Sequence, residues 1–175
     1  MKKLIALIAI MALVAFSAFA VDQTDELTVQ LTVDGQTSIG WFNTVPTFAN
    51  GDAYAALSGQ DITIALDSDT LTGSANAVLR TSSADAVTAK VYSTALANGN
   101  LVVPYTAKLG TQNGVEISAL TNGTYGTEIG TLTATAGTTT RQVSAEFSAT
   151  VTATNVAKAV SGTYTATVTL VFSAS

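Results

Sequence analysis

The chain has 175 residues and contains neither cysteine nor histidine. Without cysteine there is no disulfide, no thiol chemistry and no lipidated N-terminal cysteine. Without histidine, serine–histidine–aspartate triads, histidine general bases and most zinc and copper sites are excluded. Charged residues make up only 11% of the chain and the formal net charge is −5. A nucleic-acid partner is not expected on that balance. Carboxylates and hydroxyls remain, but no pair of them is spaced to suggest acid–base work, so no enzyme activity, metal or cofactor is expected.

Long apolar runs are also scarce. The main one is at the front, where Lys2 and Lys3 precede an apolar stretch from Leu4 to Phe16 and then Ala18-Phe19-Ala20. That order of charged, apolar and small residues is a secretory signal with cleavage expected before Val21. Its removal takes seven basic residues to five, against twelve acidic ones. Export is therefore the expected fate of residues 21–175, and no later apolar run is long enough to cross a bilayer as a helix.

What the chain has in quantity is threonine, with 30 residues. A β-branched hydroxyl residue suits a pleated surface facing water. Alternation supports the same conclusion. Leu27, Val29, Leu31 and Val33 share one face of an extended stretch, with Thr28, Gln30 and Thr32 on the other. Gln36 to Ala55 reads as irregular, its aromatics capping one end of a core. Further strands are expected over Asp61–Asp67, Asn76–Thr81, Ala86–Ser93, Leu101–Leu109, Val115–Leu120 and Glu128–Ala136. The second and third of these could pair across Ser82 and Ser83. Pro104 marks an edge or a bulge, and Asn98-Gly99, Asn113-Gly114 and Asn122-Gly123 mark turns.

The last third is the most regular. Val143, Ala145, Phe147, Ala149, Val151 and Ala153 alternate with polar residues, and Tyr164, Ala166, Val168, Leu170 and Phe172 do so again after Ser161-Gly162. These two stretches are expected to form a hairpin, and no helix is expected after the signal segment. The fold class that follows is all-β, an immunoglobulin-like sandwich of about seven to nine strands.

Two weaker patterns carry bland readings. Asp67-Ser68-Asp69, with Asp61 nearby, lacks the glutamate and glycine of a calcium loop and reads as a turn. Trp41, Phe42, Tyr54, Tyr92 and Tyr125 could form a sugar-stacking platform, but packing is the commoner role of such rings.

Both ends of the exported chain resemble those of subunits assembled by the chaperone–usher pathway, most of all the cysteine-free alpha-type pilins of the colonisation-factor-antigen family. Leu27-Thr28-Val29-Gln30-Leu31-Thr32-Val33-Asp34 is similar to that family's N-terminal donor segment. Gly162-Thr163-Tyr164-Thr165-Ala166-Thr167-Val168-Thr169-Leu170-Val171-Phe172 resembles its closing strand, and Gly162 is fourteenth from the C-terminus. One departure is Ala174, where the pathway commonly has an aromatic residue.

The resemblance implies three parts: a signal peptide over 1–20, a donor-strand extension over 21–36, and an incomplete sandwich over 37–175 completed by donor-strand exchange. Leu27, Val29, Leu31 and Val33 would fill a neighbour's groove beside Gly162, Tyr164, Ala166, Val168, Leu170 and Phe172. Partners would be further copies or related pilins, a periplasmic chaperone and an outer-membrane usher, with a host or surface glycan as a further possibility. The location would be the cell surface, and the role a pilus or fimbrial subunit supporting adhesion. The competing expectation is a self-contained secreted β-sandwich that binds carbohydrate or forms a surface coat, with Leu27–Val33 paired inside its own sheet.

Overall fold

The computed structural model describes residues 34–49, 52–60, 64, 66, 71–121 and 123–173. The donor segment, the stretch around Asp61, Asp67 and Asp69, and Asn122 lie outside the described residues. The fold is all-β. Its strands are β1 (Thr37–Phe42), β2 (Thr72–Thr81), β3 (Val87–Ser93), β4 (Leu96–Asn98), β5 (Leu101–Val103), β6 (Tyr105–Leu109), β7 (Val115–Ile117), β8 (Thr127–Ala134), β9 (Arg141–Val151) and β10 (Val168–Ser173). A short helix, α1 (Ala153–Lys158), sits between β9 and β10. Ten strands among the described residues exceed the expected seven to nine, partly because Pro104 splits Leu101–Leu109 into β5 and β6.

The strands form a five-stranded sheet in the order β1-β2-β9-β6-β7, a three-stranded sheet β10-β3-β8, and a small β4-β5 ribbon. Alternation decides which side chains enter the core. Ala77 and Leu79, Phe147, Ala149 and Val151, and Tyr105, Ala107 and Leu109 come from the larger sheet. They share one cluster with Val87, Ala89 and Val91 of β3 and with Leu132 and Ala134 of β8. On the outer faces threonines sit opposite one another, and Thr72–Thr150 and Thr88–Thr133 are bonded at 3.1 and 3.2 Å. Such cross-strand hydroxyl pairs are one use the fold makes of its threonine excess.

Four expectations are corrected. No helix is expected after the signal segment, yet Ala153–Lys158 forms α1, where alternation points to continued strand through Ala153. Asn76–Thr81 and Ala86–Ser93 belong to different sheets: β2 pairs with β1 and β9, while β3 pairs with β10 and β8. β9 and β10 likewise do not form a hairpin, since β9 lies between β2 and β6 and β10 lies on β3. The chain between them crosses from one sheet to the other through α1, whose start is capped by Thr152 Oγ1 accepting from the Asn155 amide at 3.2 Å. The segment around Trp41 is also not wholly irregular, because Thr37–Phe42 is β1, paired along its length with Phe42↔Asn76 to Thr37↔Thr81.

Residues 43–49 and 52–60 after β1 are irregular, as expected, and their contacts cover part of the outer face of the larger sheet. Gln142 Nε2 donates to Pro46 O at 2.8 Å, and the Arg80 guanidinium lies 4.0 Å from the centre of the Phe48 ring. Gln60 N then donates to Trp41 O at 3.0 Å, covering part of the free edge of β1. This cover explains why Val78 is as fully buried as its neighbour Leu79, although consecutive strand residues face opposite ways.

Candidate functional site: an apolar cleft beside the last strand

Among the described residues β10 is an edge strand: it pairs only with β3, from Val168↔Ser93 to Ser173↔Thr88. The consequence appears in burial: Val87, Ala89 and Val91 on β3 are buried, whereas Val168, Leu170 and Phe172 on β10 are half-buried against the same core. Apolar side chains at an edge have a neighbour on one side only, and the outward backbone groups have none.

Upstream of β10 the same edge borders a cleft of about 650 Å³. The larger sheet contributes Trp41, Ala75, Tyr105, Phe147 and Ala149 to it, the last segment contributes Thr163 to Val168, and Ile64 and Leu66 from the stretch before β2 line it as well. Trp41 stands edge-on to Phe147, with ring centres 5.8 Å apart and planes at 75°. One end is closed by the β4 ribbon, where Ala97 and Thr165 exchange both backbone bonds at 3.0 and 2.9 Å and Thr94 N donates to Thr167 O at 3.0 Å. Thr163 to Thr167 alternates like a strand but is held by that one bridge and its neighbours, so the strand expected over Tyr164–Phe172 is regular only from Val168.

No charged residue lines the cleft among the described residues. Its polar lining residues are Gln60, Thr163, Tyr164, Thr165, Thr167 and Tyr105, and the Tyr105 phenol is 2.5 Å from Ser93 Oγ and donates to Thr94 O at 2.8 Å. Burial pushes this phenol above its ordinary value of 10.0, and the Ser93 bond opposes that shift. The folded state thus favours the protonated phenol, so the stability it contributes is intact below the ordinary value. It is lost as pH rises through the folded value. Thermal melting is expected to be nearly flat from about pH 5 to 8, where an unperturbed histidine would titrate, and to fall above about pH 10. Tyr105→Phe should flatten part of that alkaline fall, and an unchanged alkaline limb in the variant would contradict the assignment.

No protein-family model, curated protein or solved structure matches the chain. The geometry alone therefore carries the reading of the site. Of the residues expected in the groove, Tyr164, Ala166 and Val168 line the cleft, while Leu170 and Phe172 continue the edge beyond it. Gly162 is exposed at the closed end, where an added Cβ would lie 2.5 Å from Asn98 Nδ2. The partners from the opposite sheet, Trp41, Ala75, Tyr105, Phe147 and Ala149, were not legible as a site, because alternation identifies inward residues without saying what they face. The five-ring sugar platform is not assembled: Trp41 faces Phe147, Phe42 is buried, and of the five rings only Tyr92 and Tyr125 pair, at 5.7 Å.

Chemically, the cleft offers apolar surface, an outward row of backbone donors and acceptors, and, among the described residues, no nucleophile–base pair. It suits an extended segment with apolar residues at alternate positions.

Proposed function

We propose that this protein is a structural subunit of a surface pilus or fimbria, an immunoglobulin-like sandwich that lacks one strand and receives it from a neighbour. The observation that carries the proposal is the half-buried apolar edge of β10 running into the uncharged cleft. Leu27, Val29, Leu31 and Val33 have the complementary sequence pattern, an alternation that would give an extended segment a single apolar face. Burying these four side chains is worth roughly 6 to 12 kcal/mol before ordering costs. Because donor and acceptor surfaces differ, each contact leaves one of each free, and the chain of contacts grows as a filament.

Strand direction favours exchange between copies. β1 begins at Thr37 opposite Thr81, and the 82–86 connection brings that end of the molecule to Thr88, which is opposite Ser173. The segment before β1 would therefore have to run parallel to β10 if it folded back beside it. A segment from another copy is free to run antiparallel, the slightly more stable arrangement per residue. Export through the periplasm with a chaperone holding the cleft, and an outer-membrane usher exchanging it, fits an apolar edge that would otherwise associate at random.

Trp41 is the chain's one tryptophan and it lines the cleft, so it reports on occupancy. A synthetic peptide of residues 22–34 is expected to shift Trp41 fluorescence to the blue and to saturate. The same peptide carrying Leu31→Asp should have no effect. A natural-sequence peptide that leaves the emission unchanged would count against the proposal.

A further inference from the structure

The three-stranded sheet has two edges, and they are treated differently. β10 is open on its outer side among the described residues. At the opposite edge, the Gln112 side chain docks on the backbone of β8: Nε2 donates to Thr131 O at 2.9 Å, and Oε1 accepts from Thr131 N at 3.3 Å. One amide thus supplies both bonds that a neighbouring strand would make at that residue.

The surroundings are fitted to this contact. The turn after β6 places Gln112 there, with Gly110 at φ +54 and Gln112 N bonded to Leu109 O at 3.0 Å. Gly130 provides the seat, since a Cβ at that position would lie 2.3 Å from Gln112 Oε1. The register slips beside it, Val91 facing Gly130 and Tyr92 facing Glu128, which leaves Ile129 as the extra residue of a bulge. Charge does not protect this edge. The single charged residue of β8, Glu128, is held by Lys90 at 3.0 Å within the same sheet.

We infer that Gln112 is a specificity-determining residue that closes the β8 edge to strand addition, leaving β10 as the edge that accepts a strand. The occupant it excludes is β8 of a second copy, approaching antiparallel about a two-fold axis. Such a pair would form a closed dimer and remove both copies from head-to-tail growth. That last consequence rests on the proposed function, whereas the edge closure itself does not.

The test uses the full exported chain with Leu31→Asp throughout, which silences the donor segment, in the presence of excess synthetic peptide of residues 22–34, which fills the β10 edge in parent and variants alike. Sedimentation velocity compares this parent with the same chain carrying Gln112→Ala or Gly130→Ala. The first substitution removes the amide. The second keeps it but fills its seat, and the displaced atoms are the end of a flexible side chain, so the fold is retained. Both variants are expected to raise the dimer association constant at least about tenfold. In the monomer, amide exchange at Thr131 should accelerate by roughly the same factor. The inference is overturned if either variant sediments like the parent or if Thr131 exchange is unchanged. Failure of the donor reading would appear elsewhere, as assembly of the otherwise natural chain unaffected by Leu31→Asp.

Discussion

Replacing Leu31 with aspartate is expected to abolish filament growth. Leu31 stands within the alternating apolar positions Leu27, Val29, Leu31 and Val33, which would share one face of a strand. The cleft it would enter has no charged lining residue among those described. Losing one leucine from that contact removes about 1.5 to 3 kcal/mol, and a desolvated, unpaired carboxylate adds several more. A total on the order of 5 kcal/mol corresponds to roughly three to four decades in affinity. The measurement is electron microscopy of exported material together with the sedimentation profile. Filaments of ordinary length from the variant would contradict the expectation.

Phe147→Ala has the largest expected effect on the fold itself. Phe147 is 1% exposed, packs edge-on against Trp41, and faces the cleft from the middle of β9. Truncating a buried phenylalanine costs about 3 to 5 kcal/mol, which in a domain of this size lowers the melting temperature by roughly 10 to 20 °C. The void would join the existing cleft, which lets water enter and places the expected loss toward the lower end of that range. The same change deprives Trp41 of its ring partner, so the peptide of residues 22–34 should bind more weakly to whatever folded protein remains. A melting point within about 3 °C of the natural chain would show that Phe147 is less central than its burial indicates.

The β class was legible because its signals are local. Val143 to Val151 alternate apolar and polar residues, and that is sufficient to make Arg141–Val151 a strand and to send Phe147, Ala149 and Val151 inward. Partner choice is not local. β9 and β10 have similar alternation and a polar connection, which is the pattern of a hairpin, yet they lie in different sheets. Alternation that runs on through Ala153 also hid α1, whose evidence is a cap: Thr152 followed three residues later by the amide it receives. Trp41 was missed as a strand residue because Gly40 and Phe42 flank it. Gly40 has no side chain to continue the pattern, and the backbone of Gly59 passes so close that a Cβ there would lie 2.8 Å from it. The edge half of the site, Tyr164, Ala166 and Val168, was readable from the end of the chain, while the half supplied by the larger sheet and the amide of Gln112 required the sheets to be assembled.

The most direct test of the central claim, that the opening segment completes a sheet it does not naturally reach within its own chain, compares two exported proteins without a chaperone. One begins at Asp34. The other begins at Asp34 and carries Glu26 to Val33 after Ser175 through a short flexible linker, so that the segment can turn back antiparallel to β10, which ends at Ser173. The account predicts that the fused chain is a monomer by size exclusion with a melting temperature well above that of the truncated chain, which should aggregate or melt early. Equal stability of the two, both monomeric, would show that the cleft needs no added strand and would contradict the account.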